Sequence, residues 1–148
     1  MPATYNPDFW GLAGWFFLFM VAFAYPSCKP TEEERTDMKN FFLSLKSILP
    51  CWSCRSNFQK NLKKYPLTDN ILRSRDSLIQ WLVDMYNEVN KEINKPVLSY
   101  EDTIKKFTNI YENGGLEPKK SCHWLKWTIV TFLLVSIIGY IIYKKRNT

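Results

Sequence analysis

The chain of 148 residues carries 20 Lys and Arg against 14 Asp and Glu, a formal net charge of +6, with 46% apolar and 16% aromatic residues. That length allows one domain with an appendage and excludes a two-domain enzyme, while the apolar and aromatic content excludes intrinsic disorder. Residues 117–148 hold six basic residues and one acid, whereas residues 1–116 hold 14 basic and 13 acidic residues. A groove built to neutralise phosphates would concentrate Lys and Arg in the folded part. The excess flanks an apolar run instead, so the expected partner of this charge is a membrane and not nucleic acid. With five Gly, eight Pro and no β-type alternation, helices are the expected elements.

The first apolar run, Phe9 to Cys28, is 20 residues without a charge, long enough to span a bilayer. It makes a poor signal peptide, because Asp8 and no cation precedes it. A buried, all-round apolar helix would look the same, and periodicity alone does not separate the two. Thr31-Glu32-Glu33-Glu34 reads as a capping box with Thr31 at N-cap and Glu34 at N3. Met38, Phe41, Phe42, Leu45, Ile48 and Leu49 recur at helical spacing, predicting a second helix to about Leu49, stopped by Pro50. A third helix is expected from about Cys51 to Lys64, with Phe58 and Leu62 inward and Pro66 ending it. Leu67 to Arg73 reads as a loop. A fourth helix follows from about Arg75 to Asn94, its apolar stripe Leu78, Trp81, Leu82, Met85, Val89 and Ile93. Ser99 caps a fifth helix to about Asn113, stopped by Gly114-Gly115.

Residues 1–116 are therefore expected to form an all-α bundle and 117–123 a linker. The stretch from Trp124 to Tyr143 gives about 20 helical residues, roughly the 30 Å of a bilayer core. Trp124, Trp127, Tyr140 and Tyr143 sit near its ends as interfacial aromatics do. Residues 144–148 form a basic tail, and the whole reads as a C-terminal membrane anchor. Without a signal peptide, such an anchor would leave the folded domain in the cytosol.

Four cysteines are present: Cys28, Cys51, Cys54 and Cys122. Cys51-Trp52-Ser53-Cys54 is a C-x-x-C at a predicted helix N-terminus, where backbone N–H groups and the helix dipole favour thiolate, the species that attacks a disulfide. Competing readings are a zinc site completed by Cys28, Cys122 and His123, and an inert pair of thiols. A thioredoxin-type site would need a βαβ setting. A helix-start C-x-x-C in an all-α domain points towards a flavin partner. No arrangement for general-base hydrolysis, phosphate loop or paired-carboxylate motif is present. On the fourth helix Asn87, Asn90 and Asn94 share one face. That face is either solvated or hydrogen-bonds a cofactor, with Lys95 meeting a phosphate.

Taken in order, Trp10-Gly11-Leu12-Ala13-Gly14-Trp15, Tyr25-Pro26, Lys29-Pro30-Thr31-Glu32-Glu33-Glu34, Leu49-Pro50-Cys51-Trp52-Ser53-Cys54 with Phe58, Gln80-Trp81, and Asn87-Glu88-Val89-Asn90 with Lys95-Pro96 resemble the Erv/ALR family of FAD-linked sulfhydryl oxidases. The resemblance spans about residues 9–113 and looks most like the forms of large DNA viruses, which would put the anchor in a host-cell or virion membrane. It implies a four-helix bundle with a short fifth helix, usually dimeric, with FAD in the mouth of the bundle and Phe9–Ala24 as a core helix. Gly11, Trp15, Tyr86, Asn87, Asn90, Lys95, Lys106 and Phe107 would hold the cofactor. Cys54 would face the isoalloxazine ring and Cys51 meet the incoming thiol, with no metal involved. The sequence departs from the family pattern at Leu12 (usually Arg), at Phe19 and Tyr86 (usually His), and at Val83 and Tyr100, where a second disulfide would sit.

The function implied is oxidation of protein thiols to disulfides with reduction of O2 to hydrogen peroxide. The alternatives are a non-enzymatic, tail-anchored interaction protein of the same fold, and a zinc-stabilised membrane adaptor.

Overall fold

The computed structural model describes residues 5–115 and Lys144. The predicted linker, span and tail, with Cys122 and His123, lie outside the described residues, Lys144 apart. Five helices follow one another: α1 (Pro7–Ala24), α2 (Glu32–Ile48), α3 (Trp52–Lys64), α4 (Arg75–Glu92) and α5 (Tyr100–Glu112), with a 3-10 turn at Ile71–Arg73. No strand occurs among the described residues, and all five helices lie in the unit Met1–Leu116.

Each helix starts on a residue that can accept an otherwise orphaned N–H. Asn6 caps α1 and Pro7 takes its first position. The capping box at α2 is reciprocal: Glu34 N–H donates to Thr31 Oγ1 (3.1 Å) and Thr31 N–H donates to Glu34 Oε2 (2.7 Å). Ser74 caps α4 and Ser99 caps α5. At α3 the cap is Cys51, whose sulfur accepts from Cys54 N–H at 3.2 Å.

The structure departs from the sequence expectation at several points. Helix α4 stops at Glu92, two residues early, because Asn94 takes a left-handed φ of 54° ahead of Lys95-Pro96. Asn94 therefore leaves the face of Asn87 and Asn90, and Ile93 is exposed rather than in the core stripe. The stretch expected as loop contains the 3-10 turn, which buries Leu72. Ile48, expected inward, is exposed at the end of α2. The fifth helix is as long as α3, 13 residues each.

Helix α4 is the central element, packing against α1, α3, α5 and the 3-10 turn. Its Leu78, Trp81, Leu82, Met85 and Tyr86 are buried, against Leu18, Phe19 and Ala22 of α1 and Phe107 of α5 in one cluster. Burying side chains of this size contributes roughly 1.5–3 kcal/mol each. Polar ties fix the layers: Tyr25 hydroxyl donates to Leu72 O (2.9 Å), Arg75 Nε donates to Tyr25 O (2.7 Å) and Trp81 Nε1 donates to Tyr65 O (2.9 Å). Helix α1 is apolar all round yet buries only one side. Phe9 (88% exposed), Leu12 and Phe17 face outward. By length and composition α1 would also suffice to cross a membrane.

Candidate redox and cofactor site

Cys51 and Cys54 are joined as a disulfide, their Cα atoms 5.1 Å apart. The sequence explains the placement: Pro50 ends the α2 connection, Cys51 caps α3, and the i, i+3 spacing puts both sulfurs at the first turn. The Cys51 sulfur accepts Cys54 N–H at 3.2 Å and lies 3.0 Å from the Ser53 hydroxyl. When the pair is reduced, those two donors and the helix dipole favour negative charge on Cys51. Cys51 is only 1% exposed and Cys54 is half-buried. Ser53 was not singled out in the sequence, although its place between the two cysteines was the available signal.

A second group of residues gathers where α1, α4 and α5 meet. The Trp15 ring lies edge-on to Tyr86 at 5.1 Å between centroids. Phe19 stacks on Phe107 at 4.2 Å and is edge-on to Tyr86 at 6.0 Å, and Tyr86 and Phe107 are 5.5 Å apart. Lys106 Nζ is 2.6 Å from the Tyr86 hydroxyl, a hydrogen bond that ties α5 to α4. Of the eight expected cofactor residues, Trp15, Tyr86, Lys106 and Phe107 are thus brought into one cluster. Phe19, noted only as a departure, is its centre and is fully buried.

The remaining four are placed differently. Asn87 Nδ2 donates to Leu98 O (2.8 Å) and Leu98 N–H donates to Asn87 Oδ1 (3.0 Å), so its amide is engaged by the protein itself. Asn90 is buried, and its backbone oxygen accepts Lys95 N–H at 2.8 Å. The Lys95 side chain is exposed. Gly11 sits one turn before Trp15, and a Cβ there would meet nothing within 4 Å, so packing within the described chain does not require glycine.

On the side of α4 that meets α3, Glu88 collects cations from two helices. Lys64 Nζ lies 2.7 Å and Lys91 Nζ 3.5 Å from its carboxylate, and the Tyr65 hydroxyl donates at 3.3 Å. The hydrogen-bonded Lys64 ammonium holds the Glu88 carboxyl below the ordinary carboxylate range. Lys64 is a tertiary partner from α3, which the spacing within α4 could not announce. No group of three or more candidate metal ligands occurs among the described residues, and Cys28 is an exposed free thiol.

Comparison with known proteins matches residues 12–111 to the Erv1 / Alr family. The chain is 37% identical over 145 residues to a probable FAD-linked sulfhydryl oxidase of Acanthamoeba polyphaga mimivirus, covering 95% of this chain and 97% of that one. It is 31% identical over 108 residues to an FAD-linked sulfhydryl oxidase of African swine fever virus, covering 73% and 84% respectively. Among solved structures, the FAD binding domain of Erv1 from Saccharomyces cerevisiae aligns with a TM-score of 0.63 at 28% identity, over 71% of this chain and 96% of that one.

Proposed function

Since the chain belongs to the Erv1/Alr family, we propose that it is an FAD-linked sulfhydryl oxidase that makes disulfides in protein substrates. The observation that carries the reading is the Cys51–Cys54 disulfide capping α3 in a helical domain of this family. The residues present suit a flavin. Trp15 and Tyr86 offer aromatic faces for a flat ring system, and the Lys106 ammonium beside them suits a phosphate. Gly11 has open space above it. Gly11, Trp15, Tyr86, Asn90, Lys106 and Phe107 would hold the cofactor, with Lys95 reaching from the surface. Asn87 would contribute by fixing the α4–α5 connection.

Cys51 and Cys54 are the catalytic pair. A substrate thiolate attacks the Cys51 sulfur, the Cys51–Cys54 bond breaks, and Cys54 leaves as thiolate. The substrate's second thiolate then attacks the mixed disulfide. Its sulfur–sulfur bond replaces the one to Cys51, and Cys51 leaves as a thiolate favoured by Cys54 N–H and the Ser53 hydroxyl. Two electrons have passed from substrate to the pair. Because Cys51 is buried, the turn at Pro50–Trp52 must open locally for this attack. The chemistry FAD supplies when bound is the two-electron reoxidation of the pair, with O2 reduced to hydrogen peroxide.

In the same proposal residues 117–123 are a linker, 124–143 a transmembrane anchor and 144–148 a basic tail, so the oxidase is membrane-tethered. A second copy of the chain covers the outward stripe of α1, where Phe9, Leu12 and Phe17 expose more apolar surface than a monomer's helix needs. The full chain in detergent should purify yellow and consume oxygen with dithiothreitol. Colourless folded protein, or undiminished turnover in Cys54→Ser, would overturn the enzyme reading.

A further inference from the structure

Charge is segregated inside the nearly neutral domain. Between Asp37 and Asp69 there are six cations and no acid, whereas the rest of residues 1–116 holds eight cations and 13 acids. Three of the six are neutralised across the fold: Lys39 by Asp69 (2.8 Å), Lys60 by Glu92 (3.1 Å) and Lys64 by Glu88 (2.7 Å). Lys46, Arg55 and Lys63 form no ion pair with a described residue. These three line one groove between the end of α2 and the outer face of α3. Its first part, about 330 Å³, is walled by Lys46, Ser47, Trp52, Arg55, Ser56 and Gln59. The second, about 410 Å³, shares Lys46 and Gln59 and adds Leu62 and Lys63.

Two details set this groove apart from an ordinary basic surface. Trp52, 70% exposed, lies between the two redox cysteines and forms the groove's near end. Arg55 donates through Nη1 to Ser47 O at 3.2 Å, while its Nε is buried without a hydrogen-bond partner. The Ser47 bond holds the guanidinium at the groove wall, where its outer N–H groups suit a carboxylate. Helical rise puts Lys63 about 16 Å along α3 from Trp52, the reach of roughly five residues of extended chain.

We propose that this groove docks an acidic segment of the polypeptide dithiol that reduces Cys51–Cys54. The substrate's cysteine lies at Trp52, and carboxylates within about five residues of it meet Arg55, Lys46 and Lys63. The proposal rests on the thiol oxidase reading, and it assigns specificity to residues outside the reacting pair.

The test uses the full chain in detergent and two matched C-x-x-C peptides, one flanked by Glu and Asp, the other by Lys, with dithiothreitol as a small neutral dithiol. The acidic peptide should be oxidised with a kcat/KM about tenfold to a hundredfold higher at low salt, shrinking as salt screens the groove. Lys46→Glu with Lys63→Glu, both at exposed positions, should abolish or invert that preference and leave dithiothreitol turnover unchanged. Normal dithiothreitol turnover without peptide discrimination, or discrimination untouched by the double substitution, overturns the groove. Absence of dithiothreitol turnover instead strikes the enzyme reading. The groove then stands or falls on fluorescence anisotropy of a labelled acidic peptide with serines for cysteines. Binding lost in the double variant supports it; no binding, or weaker binding than a short oligothymidylate, overturns it.

Discussion

Asn87 grips the backbone of Leu98 from both sides, its amide donating to the carbonyl at 2.8 Å and accepting the N–H at 3.0 Å. This pairing closes the α4–α5 connection much as a strand ladder would, with a side chain in place of one backbone. Two hydrogen bonds contribute about 2 kcal/mol together. Asn87→Ala should therefore lower the stability of the cofactor-free protein by about that amount in a urea titration. Asn87→Asp, which keeps the acceptor but sets a carboxylate oxygen against the Leu98 carbonyl, should cost at least as much. Were Asn87 solely a cofactor ligand, the cofactor-free protein would be indifferent to both changes.

Phe19 stacks on Phe107 at 4.2 Å and is fully buried at the centre of the aromatic cluster. Phe19→His, which restores the residue usual in the family pattern, would bury an imidazole among the rings of Trp15, Phe23, Tyr86 and Phe107. Burying a polar group without a partner costs on the order of 1–3 kcal/mol, and the stack adds about 0.5–1.5 kcal/mol. The variant should lose roughly 2–4 kcal/mol by chemical denaturation without cofactor. An unchanged or raised midpoint would mean that the pocket was already polar.

The roles of the two cysteines separate by trapping. In Cys54→Ser the attacked position Cys51 survives as a lone thiol, so a single-cysteine peptide supplied as its thionitrobenzoate mixed disulfide should be captured at Cys51 with release of thionitrobenzoate, the adduct detected by mass spectrometry. Cys51→Ser should trap far less. Turnover in either variant should drop by about a thousandfold or more, since each removes an indispensable member of one unit. A mixed disulfide at Cys54 in Cys51→Ser, at equal yield, would reverse the proposed order of attack.

Much of this arrangement was legible in the order of residues. Thr31 with Glu34, Ser99, Gly114 and the prolines at 50 and 66 are local signals, and they bound the helices to within one or two positions. Local signals also misled where backbone geometry overruled periodicity. Asn94 continues the polar face on a helical wheel, yet its left-handed φ ends the helix before it. The C-x-x-C needed only its position after Pro50. The cation groove and the Glu88 cluster were illegible because their members come from different helices. Lys46 and Arg55, or Lys64 and Glu88, meet only after the chain has folded back. Phe19 stood out in sequence as a departure, but its stacking against Phe107, 88 positions away, is a tertiary fact.

Glu88 gives the fold a pH dependence whose sign is fixed by its neighbours. The Lys64 hydrogen bond, then the charges of Lys64 and Lys91, hold its carboxyl below the ordinary value of 4.5. A depressed carboxyl stabilises the folded state fully above the unfolded value, and that contribution is lost as pH falls through the folded one. The Asp69 carboxyl, lowered by Lys39, adds in the same direction, though it is exposed and screened. Tm should therefore be level near neutrality and fall as pH drops from about 5 towards 3. Glu88→Gln should lower Tm by a few degrees at pH 7 and flatten the acid limb, because the group that titrates has gone. Lys64→Met should flatten it as well, leaving Glu88 half-buried with Lys91 as its remaining cation. An acid limb of unchanged steepness in both variants would move the titration to other carboxylates.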